Sequence, residues 1–179
     1  MRSINEIFAK FKEEQVTPEE FLAIVEITKG DKTKYELDKD TGFLRLDRIL
    51  STSTHYPHSY GFIPLTHCED GDPLDVLILC SEPIVPLTIV KCRPIGVMRM
   101  IDNGKPDPKI IAIAVNDPNY NVYHSSEELP THVLDEIKHF FDVYKNLENM
   151  KVLTGKVERA DAARQEVQHC IDLYKKLKK

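Results

Sequence analysis

The chain has 179 residues, 41% of them hydrophobic and 30% charged, with a net charge of −5. This composition is typical of a soluble globular protein, and we predict a single domain over residues 1–179. No apolar run approaches the ~20 residues that span a bilayer, and the negative charge disfavours general nucleic-acid binding. Without a signal-peptide apolar core, the chain is predicted to be cytoplasmic, with four free cysteines and no membrane or nucleic-acid partner.

A short helix is predicted at the N-terminus, followed by a long β region. The helix opens on the capping box Ser3-Ile4-Asn5-Glu6, and apolar residues continue from it at helical spacing. An apolar run over Phe21–Ile27 predicts a strand buried on both faces. Strict alternation in 34–38 predicts a strand with Lys34 and Glu36 on one face. Further strands are predicted at 43–50, 75–80, 88–94, 95–101 and 109–115.

The last third of the chain is predicted to be helical. Apolar residues fall at i, i+3 and i+4 spacing in 133–144 and again in 160–177, which indicates two amphipathic helices. Many short strands separated by turn residues favour a small closed barrel. Strands followed by segregated helices indicate the α+β class, with both helices packed on the β unit.

The segment 69–75, Glu-Asp-Gly-Asp-Pro-Leu-Asp, places four carboxylates directly before an apolar strand. Carboxylates this close repel one another unless a cation lies among them or they share protons. A tight polar loop joined to a rigid strand suits hard-oxygen metal ligands, which here would be Asp70, Asp72 and Asp75. Taken alone, the segment is more typical of an acidic surface turn.

A second acidic group lies in the segment 102–109. Asn103-Gly104 between extended runs is a strong hairpin signal, and the turn would bring Asp102 and Asp107 toward each other. Lys109 follows two residues after Asp107 and therefore shares its strand face. Taken alone, this segment is typical of a charged hairpin tip.

Together the two acidic groups and Glu36 indicate a site for several divalent ions. Mg²⁺ or Mn²⁺ suits an all-oxygen shell, whereas Zn²⁺ would normally require histidine or cysteine. Ca²⁺ is disfavoured because the spacing of an EF-hand loop is absent. Basic and phenolic side chains could bind an anion beside these metals, although each could instead be a surface or core residue, and metals combined with such groups suit a phosphate-rich substrate. These candidate anion ligands are Lys34, Arg48, Tyr56, Tyr60, Lys109, Tyr144 and Lys145.

An ordered set of further motifs accompanies the acidic segment. The motifs are Lys34-Tyr35-Glu36, Asp47-Arg48, His55-Tyr56-Pro57, Ser59-Tyr60-Gly61, Cys92-Arg93-Pro94-Ile95-Gly96, 102–109, His139-Phe140-Phe141 and Tyr144-Lys145. With Asp70-Gly71-Asp72-Pro73-Leu74-Asp75-Val76, this set resembles family I soluble inorganic pyrophosphatases. The resemblance runs from about residue 21 to about residue 148, and the chain length resembles that of prokaryotic members.

The resemblance implies an OB-like β-barrel with flanking helices and Mg²⁺-dependent hydrolysis of pyrophosphate to two phosphates, with several ions per site and Mn²⁺ as an alternative. It implies that Asp70, Asp75 and Asp107 hold the first metal and that Asp75 also reaches the second. Asp102 and Asp107 would serve a metal that arrives with substrate, Glu36 a further one through water, and Asp72 would be the general base. The implied substrate-binding residues are Lys34, Arg48, Tyr60, Lys109, Tyr144 and Lys145, with Tyr56 and Glu26 in supporting positions.

The resemblance also implies an assembly, because bacterial members commonly form hexamers and His139 matches a position at that interface. A homo-oligomer, specifically a hexamer, is therefore expected. Two other functions stay open from the residues. One is a noncatalytic OB-like binding module that keeps an acidic metal site, and the other is a metal-dependent phosphohydrolase acting on nucleotides or polyphosphate.

Overall fold

The structure is a computed structural model that describes residues 8–178. The predicted capping box at 3–6 and most of the predicted N-terminal helix lie outside the described residues. Phe8 is buried, and its ring centroid lies 5.9 Å from that of Phe62 and 6.1 Å from that of Tyr174. None of the helices within 8–178 is long and apolar enough to cross a membrane.

The described residues form nine strands, two α-helices and three short 3-10 turns. The strands are Phe21–Ile27 (β1), Thr33–Leu37 (β2), Leu44–Ile49 (β3), Ser59–Phe62 (β4), Asp75–Leu79 (β5), Ile89–Asp102 (β6), Lys105–Pro106 (β7), Lys109–Ala114 (β8) and Val152–Arg159 (β9). The α-helices are Thr131–Val143 (α1) and Ala160–Leu177 (α2), and the 3-10 turns are Glu13–Gln15, Ser126–Glu128 and Asn146–Glu148. Both predicted C-terminal helices are confirmed.

Five strands pair into a closed ring in the order β1-β4-β5-β8-β6, and β6 returns to β1. The β5–β8 pair is parallel and the other pairs of the ring are antiparallel. Closing the ring leaves these strands without free edges, which stabilises a small β unit. The closed β unit that the strand pattern predicts is therefore present, with β7 and β9 attached to β6 outside the ring.

The strand β6 corrects the prediction of two strands at 88–94 and 95–101. It is continuous over Ile89–Asp102, and its pairing register shifts between Pro94 and Gly96 and again between Met98 and Met100. Such irregularities let a strand bend and accommodate a proline that cannot donate to the ladder. One long bent strand thus pairs with β1, β8, β9 and β7.

Besides the two-residue β7, two strands are absent from the sequence prediction. Ser59–Phe62 (β4) has only four residues, too few for a periodic pattern, yet it closes the ring between β1 and β5. Val152–Arg159 (β9) has no fully buried residue and, among the strands of residues 8–178, pairs only with β6. The register of a long-range partner defines both strands, and local periodicity does not carry that information.

The apolar runs of β5 and β8 are buried on both faces because each strand lies between two cores. Alternate residues such as Val76 and Ile110 pack with the buried face of α2, which includes Val167. The intervening residues Leu77 and Ile111 pack in the second core with α1. Continuous hydrophobic strands are expected where both faces are covered. The two helices therefore lie on different cores of one β unit.

The hairpin formed by β2 and β3 is a separate two-stranded sheet. It is tied to the ring by a buried hydrogen bond from the Leu37 backbone N–H to Glu26 Oε1 at 2.7 Å. Its residues are half-buried or exposed except for the buried Leu37, and Lys34 pairs with Arg48 across the hairpin. This attachment holds the polar face of the hairpin against the mouth of the ring.

Candidate active site

A polar cleft of about 250 Å³ lies among β2, the acidic segment 69–75, the β6–β7 hairpin and the residues that follow α1. It is the place where eleven of the twelve sequence-predicted site residues meet, and the exception is Arg48. These eleven cleft-lining residues are Lys34, Glu36, Tyr60, Asp70, Asp72, Asp75, Asp102, Asp107, Lys109, Tyr144 and Lys145.

The acidic segment is a tight, self-bonded turn. The backbone N–H of Cys68 donates to the Asp72 carbonyl at 2.8 Å, and that of Gly71 donates to the Cys68 carbonyl at 3.0 Å. Gly71 has φ +98°, a conformation that favours glycine. The Asp72 N–H donates to Asp70 Oδ1 at 3.0 Å. The turn thus directs Asp70 and Asp72 to different points of the cleft, while Asp75 begins β5.

Lys109 lies between two predicted metal-ligating carboxylates. In the parallel β5–β8 pair Asp75 is opposite Lys109, and the ammonium Nζ lies 2.6 Å from both Asp75 Oδ2 and Asp107 Oδ1. Only 3% of the lysine side chain is exposed. Burial alone would lower the pKa of Lys109, but the attraction of the two carboxylates outweighs it and the pKa is raised. Lys109 is therefore a buried cation that pairs with both carboxylates.

The predicted hairpin at 102–109 is confirmed. Asn103 and Gly104 have φ values of +49° and +79°, as a two-residue type I′ turn requires, and Asp102 pairs with Lys105 across it. Asp102 Oδ2 forms an ion pair with Lys145. Asp102 Oδ1 is buried and has no hydrogen-bond partner among the described residues. One oxygen of this cleft-lining carboxylate thus has unused acceptor capacity.

Lys34 and Glu36 occupy one face of β2, as the alternation predicts. Lys34 Nζ lies 2.6 Å from Glu36 Oε1 and 3.1 Å from Asp47 Oδ2 on β3. Burial would lower the pKa of Lys34, but its hydrogen bonds to these carboxylates raise it overall. The lysine therefore keeps its charge at the edge of the cleft.

Arg48 is the predicted residue that the structure does not bring to the cleft wall. Its Nη1 lies 3.6 Å from Asp47 Oδ2 and its Nε lies 3.5 Å from Glu148 Oε2. Its buried Nη2 has no hydrogen-bond partner among the described residues. The guanidinium thus lies between Asp47 and the 3-10 turn that contains Glu148, with an unused donor.

Aromatic residues form the floor of the site. Tyr56, Tyr60, Phe140 and Tyr144 are buried, and the ring centroids of Tyr56 and Phe140 lie 4.7 Å apart. Burial raises the pKa of Tyr56, Tyr60 and Tyr144 above their usual range. Their hydroxyl groups therefore remain protonated donors at neutral pH. Tyr144, which follows α1, thus packs in the core and also lines the site. The helical spacing of apolar residues cannot show this second role.

Lys39 is a cleft residue that sequence reasoning missed. Its ammonium lies 3.3 Å from Asp72 Oδ1. In the sequence Lys39 belongs to the turn 39–42 and resembles any solvated turn lysine. Only the packing of the β2–β3 hairpin against the acidic segment, which lies more than thirty residues away, reveals its contact.

Glu26 also lines the cleft and is protonated under neutral conditions. It is 7% exposed and accepts the Leu37 N–H bond described above. Burial, partly offset by that bond, raises its pKa from 4.5 to about 8. A neutral acid at this position adds no further negative charge beside Asp75.

The donor set fits hard divalent cations. Within the described residues no three Asp, Glu, His or Cys side chains are already gathered as a ligand set, and the ammonium groups of Lys109 and Lys145 lie against the carboxylates instead. All the anionic donors of the cleft are oxygens, and Asp102 Oδ1 is buried without a partner. Oxygen ligands of this kind suit Mg²⁺ or Mn²⁺ rather than Zn²⁺.

Comparison with known proteins places the chain in a family. The family model for inorganic pyrophosphatase matches residues 23–175. The chain is 51% identical over 157 residues to a soluble inorganic pyrophosphatase of Zea mays, covering 88% of this chain and 73% of that protein. The chain belongs to the inorganic pyrophosphatase family. A second soluble inorganic pyrophosphatase, from Chlamydomonas reinhardtii, is 48% identical over 151 residues, covering 84% of this chain and 79% of that protein.

Inorganic pyrophosphatases of known structure share the fold described here. The Helicobacter pylori protein superposes with a TM-score of 0.87 at 37% identity, covering 89% of this chain and 96% of that chain. The Thermus thermophilus protein gives a TM-score of 0.85 at 38% identity, covering 88% and 92%. The predicted fold class and the predicted membership of the inorganic pyrophosphatase family are therefore confirmed. The matched segment 23–175 contains every predicted site residue.

Proposed function

We propose that this protein hydrolyses inorganic pyrophosphate to two phosphates with Mg²⁺ as cofactor. The observation that carries the proposal is the cleft itself, where carboxylates from four separate segments face buried lysines and tyrosines. This combination suits a small, highly charged anion accompanied by cations. Family membership and the soluble inorganic pyrophosphatases that the chain resembles support the same substrate.

The proposed metal ligands are the carboxylates of both acidic groups and of β2. Asp70, Asp75 and Asp107 would hold one ion, with Asp75 shared by a second, while Asp102 and Asp107 would serve an ion that enters with pyrophosphate. Glu36 would reach a further ion through water. When bound, such cations stabilise negative charge on phosphate oxygens and make nearby water more acidic. Mn²⁺ has the same ligand preferences and is expected to substitute.

The proposed substrate ligands act by charge and by donation. Lys34, Lys109 and Lys145 already point into the cleft, and each would exchange a carboxylate partner for a phosphate oxygen when substrate enters. Tyr60 and Tyr144 would donate their hydroxyl hydrogens because their raised pKa values keep them protonated. Arg48 would use its unpartnered Nη2 after a change of side-chain rotamer. Phosphoryl transfer requires mainly such positioning and charge stabilisation.

Asp72 is the proposed general base. Its side chain is 72% exposed, so water can reach its carboxylate directly. The carboxylate would accept a proton from the attacking water and orient it toward the phosphorus atom. Lys39, 3.3 Å away, holds Asp72 Oδ1 in position. With Asp72 as the base, Asp70 and Asp75 remain as the proposed metal ligands of this segment.

We further propose a single-domain, cytoplasmic protein that assembles into a hexamer. His139, which matches an interface position in bacterial members, is exposed on α1. It lines a shallow cavity of about 300 Å³ with Glu136 and His55. Light scattering coupled to size exclusion is expected to give six times the chain mass of 20.6 kDa, and a monomer in solution would contradict the assembly.

The function is tested by phosphate release from pyrophosphate, measured with Mg²⁺, with Mn²⁺ and with excess chelator. Release is expected with either metal and is expected to stop with the chelator, whereas a chelator-insensitive rate would overturn the metal mechanism. ATP and polyphosphate at equal Mg²⁺ provide the comparison. A preference for either would favour another phosphohydrolase, and metal-dependent binding of pyrophosphate without turnover would favour a binding module.

A further inference from the structure

Two cysteines that are far apart in sequence are neighbours in the fold. Cys68 Sγ lies 3.2 Å from Cys170 Sγ, across a sequence separation of 102 residues. Both are buried, and a hydrogen bond from the His67 backbone N–H to the Cys170 carbonyl at 2.9 Å joins their backbones. The two remaining thiols, Cys80 and Cys92, make no such contact with either of them in the described part of the chain.

The thiol pair lies on the wall of a second cavity, of about 510 Å³, which is separate from the cleft. Its other walls include the polar residues Arg99 and Glu166, so the two cysteines face a cavity large enough for a small polar molecule. Cys170 Sγ donates to Glu166 Oε1 at 3.8 Å, and Glu166 forms an ion pair with Arg99. This arrangement provides a proton acceptor and a nearby cation at one sulfur, which are the conditions that favour thiol reactivity.

We propose that Cys68 and Cys170 form a reversible disulfide on exposure to hydrogen peroxide, and that this bond controls the acidic segment of the cleft. Cys170 gives its proton to Glu166 and its sulfur attacks peroxide, so the O–O bond breaks and water leaves with that proton. The resulting sulfenic acid is attacked by Cys68, which forms the S–S bond and releases a second water. Two thiols and one peroxide thus become one disulfide and two waters.

The disulfide would act on the cleft through Cys68. Its backbone N–H donates to the Asp72 carbonyl at 2.8 Å, and its carbonyl accepts from Gly71 at 3.0 Å, so Cys68 closes the acidic turn. An S–S bond of about 2.05 Å requires the sulfurs to approach by roughly 1.2 Å. That movement anchors the turn to α2 and displaces Asp70 and Asp72 from their positions in the cleft. This consequence rests on the proposed function, whereas disulfide formation does not.

The experiment uses a Cys80→Ala/Cys92→Ala double variant, which keeps only the proposed pair. The reduced protein is treated with hydrogen peroxide, and remaining thiols are blocked before proteolysis and mass spectrometry. The expected result is a linked peptide pair joining the segments of Cys68 and Cys170, which reducing agent separates. The thermal midpoint is expected to rise by roughly 10 °C because the crosslink closes a long loop in the unfolded chain.

The rate of phosphate release is expected to fall at least about fivefold on oxidation and to return after reduction, because displacement of reacting groups by about 1 Å slows catalysis. Adding Cys68→Ser or Cys170→Ser to the double variant is expected to abolish this loss of activity on oxidation. Two separate substitutions are used so that the test still stands if one variant does not fold. Oxidation without a linked peptide would overturn the proposed disulfide. A linked peptide with an unchanged rate of phosphate release would overturn its proposed effect on the cleft. If even the reduced protein releases no phosphate, the proposed function fails while the linked peptide still decides the disulfide.

Discussion

Single side chains in the cleft balance one another's charge. Lys109 is shared by Asp75 and Asp107, Lys145 pairs with Asp102, and Lys34 pairs with Glu36. Each of these lysines lowers the electrostatic repulsion among the carboxylates that it contacts. In the proposed function, cations and an anionic substrate would exchange partners with this network, which limits the number of buried unpaired charges.

The proposed base is tested by Asp72→Asn. The amide keeps the size of the side chain but cannot accept a proton, so the kcat for pyrophosphate is expected to fall about 100-fold or more. Glu69→Gln is the matched control, because Glu69 belongs to the same turn but does not line the cleft. It is expected to keep the wild-type rate. Equal rates for Asp72→Asn and the wild type would remove Asp72 from the mechanism.

Lys109→Met tests the buried cation. The substitution leaves Asp75 and Asp107 without their common counter-charge, so the free energy of unfolding at neutral pH is expected to fall by about 3–5 kcal/mol. Urea unfolding in the presence of chelator measures it. Lys105→Met, at an exposed position of the same hairpin, is expected to change stability by less than about 0.5 kcal/mol. Comparable stability of both variants would contradict the counter-charge role.

At the scale of elements, two contacts hold the cleft together. The Glu26 carboxyl of β1 accepts from Leu37 at the end of β2, which fixes the hairpin to the ring. Gly61 of β4 allows β1 to approach so closely that a Cβ at this position would lie 1.9 Å from the Ile24 carbonyl oxygen. Tyr60, next to Gly61, depends on this approach for its place in the site.

Glu26→Gln is expected to change how stability depends on pH. Because the folded-state pKa of Glu26 is raised from 4.5 to about 8, the folded protein holds a proton that the unfolded chain has lost. Its contribution to stability is complete below pH 4.5 and is lost as pH rises through 8, with a slope of at most about 1.4 kcal/mol per pH unit. Glutamine has no proton to lose and should remove this slope.

The measurement is urea unfolding of wild type and Glu26→Gln at pH 5 and pH 9 with chelator present. The free energy of unfolding of Glu26→Gln is expected to rise relative to that of the wild type at the higher pH. Glu82→Gln at an exposed position is the control and should follow the wild type at both values. Parallel pH profiles for wild type and Glu26→Gln would show that Glu26 titrates normally.

Gly61→Ala tests the close approach of β1 and β4. The added methyl group would overlap backbone rather than a movable side chain, so the strands must separate. We expect a loss of at least about 2 kcal/mol in the free energy of unfolding, together with reduced activity because Tyr60 moves. Gly155→Ala is a milder comparison, since its Cβ would lie 3.2 Å from the Arg99 carbonyl oxygen. Equal losses in the two variants would argue against the contact.

The whole molecule places its site where the ring, the hairpin and α1 meet, and its thiol pair on the side packed by α2. Because carboxylates on several elements must converge to hold cations, metal binding should stabilise the complete fold. At an excess of about a hundredfold over Kd, Mg²⁺ is expected to raise the thermal midpoint by roughly 5–10 °C. Calorimetry at matched ionic strength measures the shift, and Asp102→Asn should reduce it. No shift in the wild type would contradict a resident metal site.

Local patterns along the chain were enough to predict the helices at 133–144 and 160–177, the β1 strand and the Asn103-Gly104 hairpin. Each has a signal that lies within a few consecutive residues, namely periodicity or a turn dipeptide. The two acidic groups and the ordered motifs likewise predicted the membership of a pyrophosphatase family. Composition within a short window was sufficient because the chemistry of the site is concentrated in a few segments.

Other features depend on contacts between distant segments and could not be predicted from short windows of the sequence. β4 and β9 exist because partners across the sheet give them a register, and β6 is continuous because a bulge accommodates Pro94. The contact of Lys39 with Asp72, the raised pKa of Glu26 and the proximity of Cys68 to Cys170 follow from packing and burial. Residue types can indicate which chemistry is available, but charge, protonation and proximity are set by neighbours that chain folding brings together.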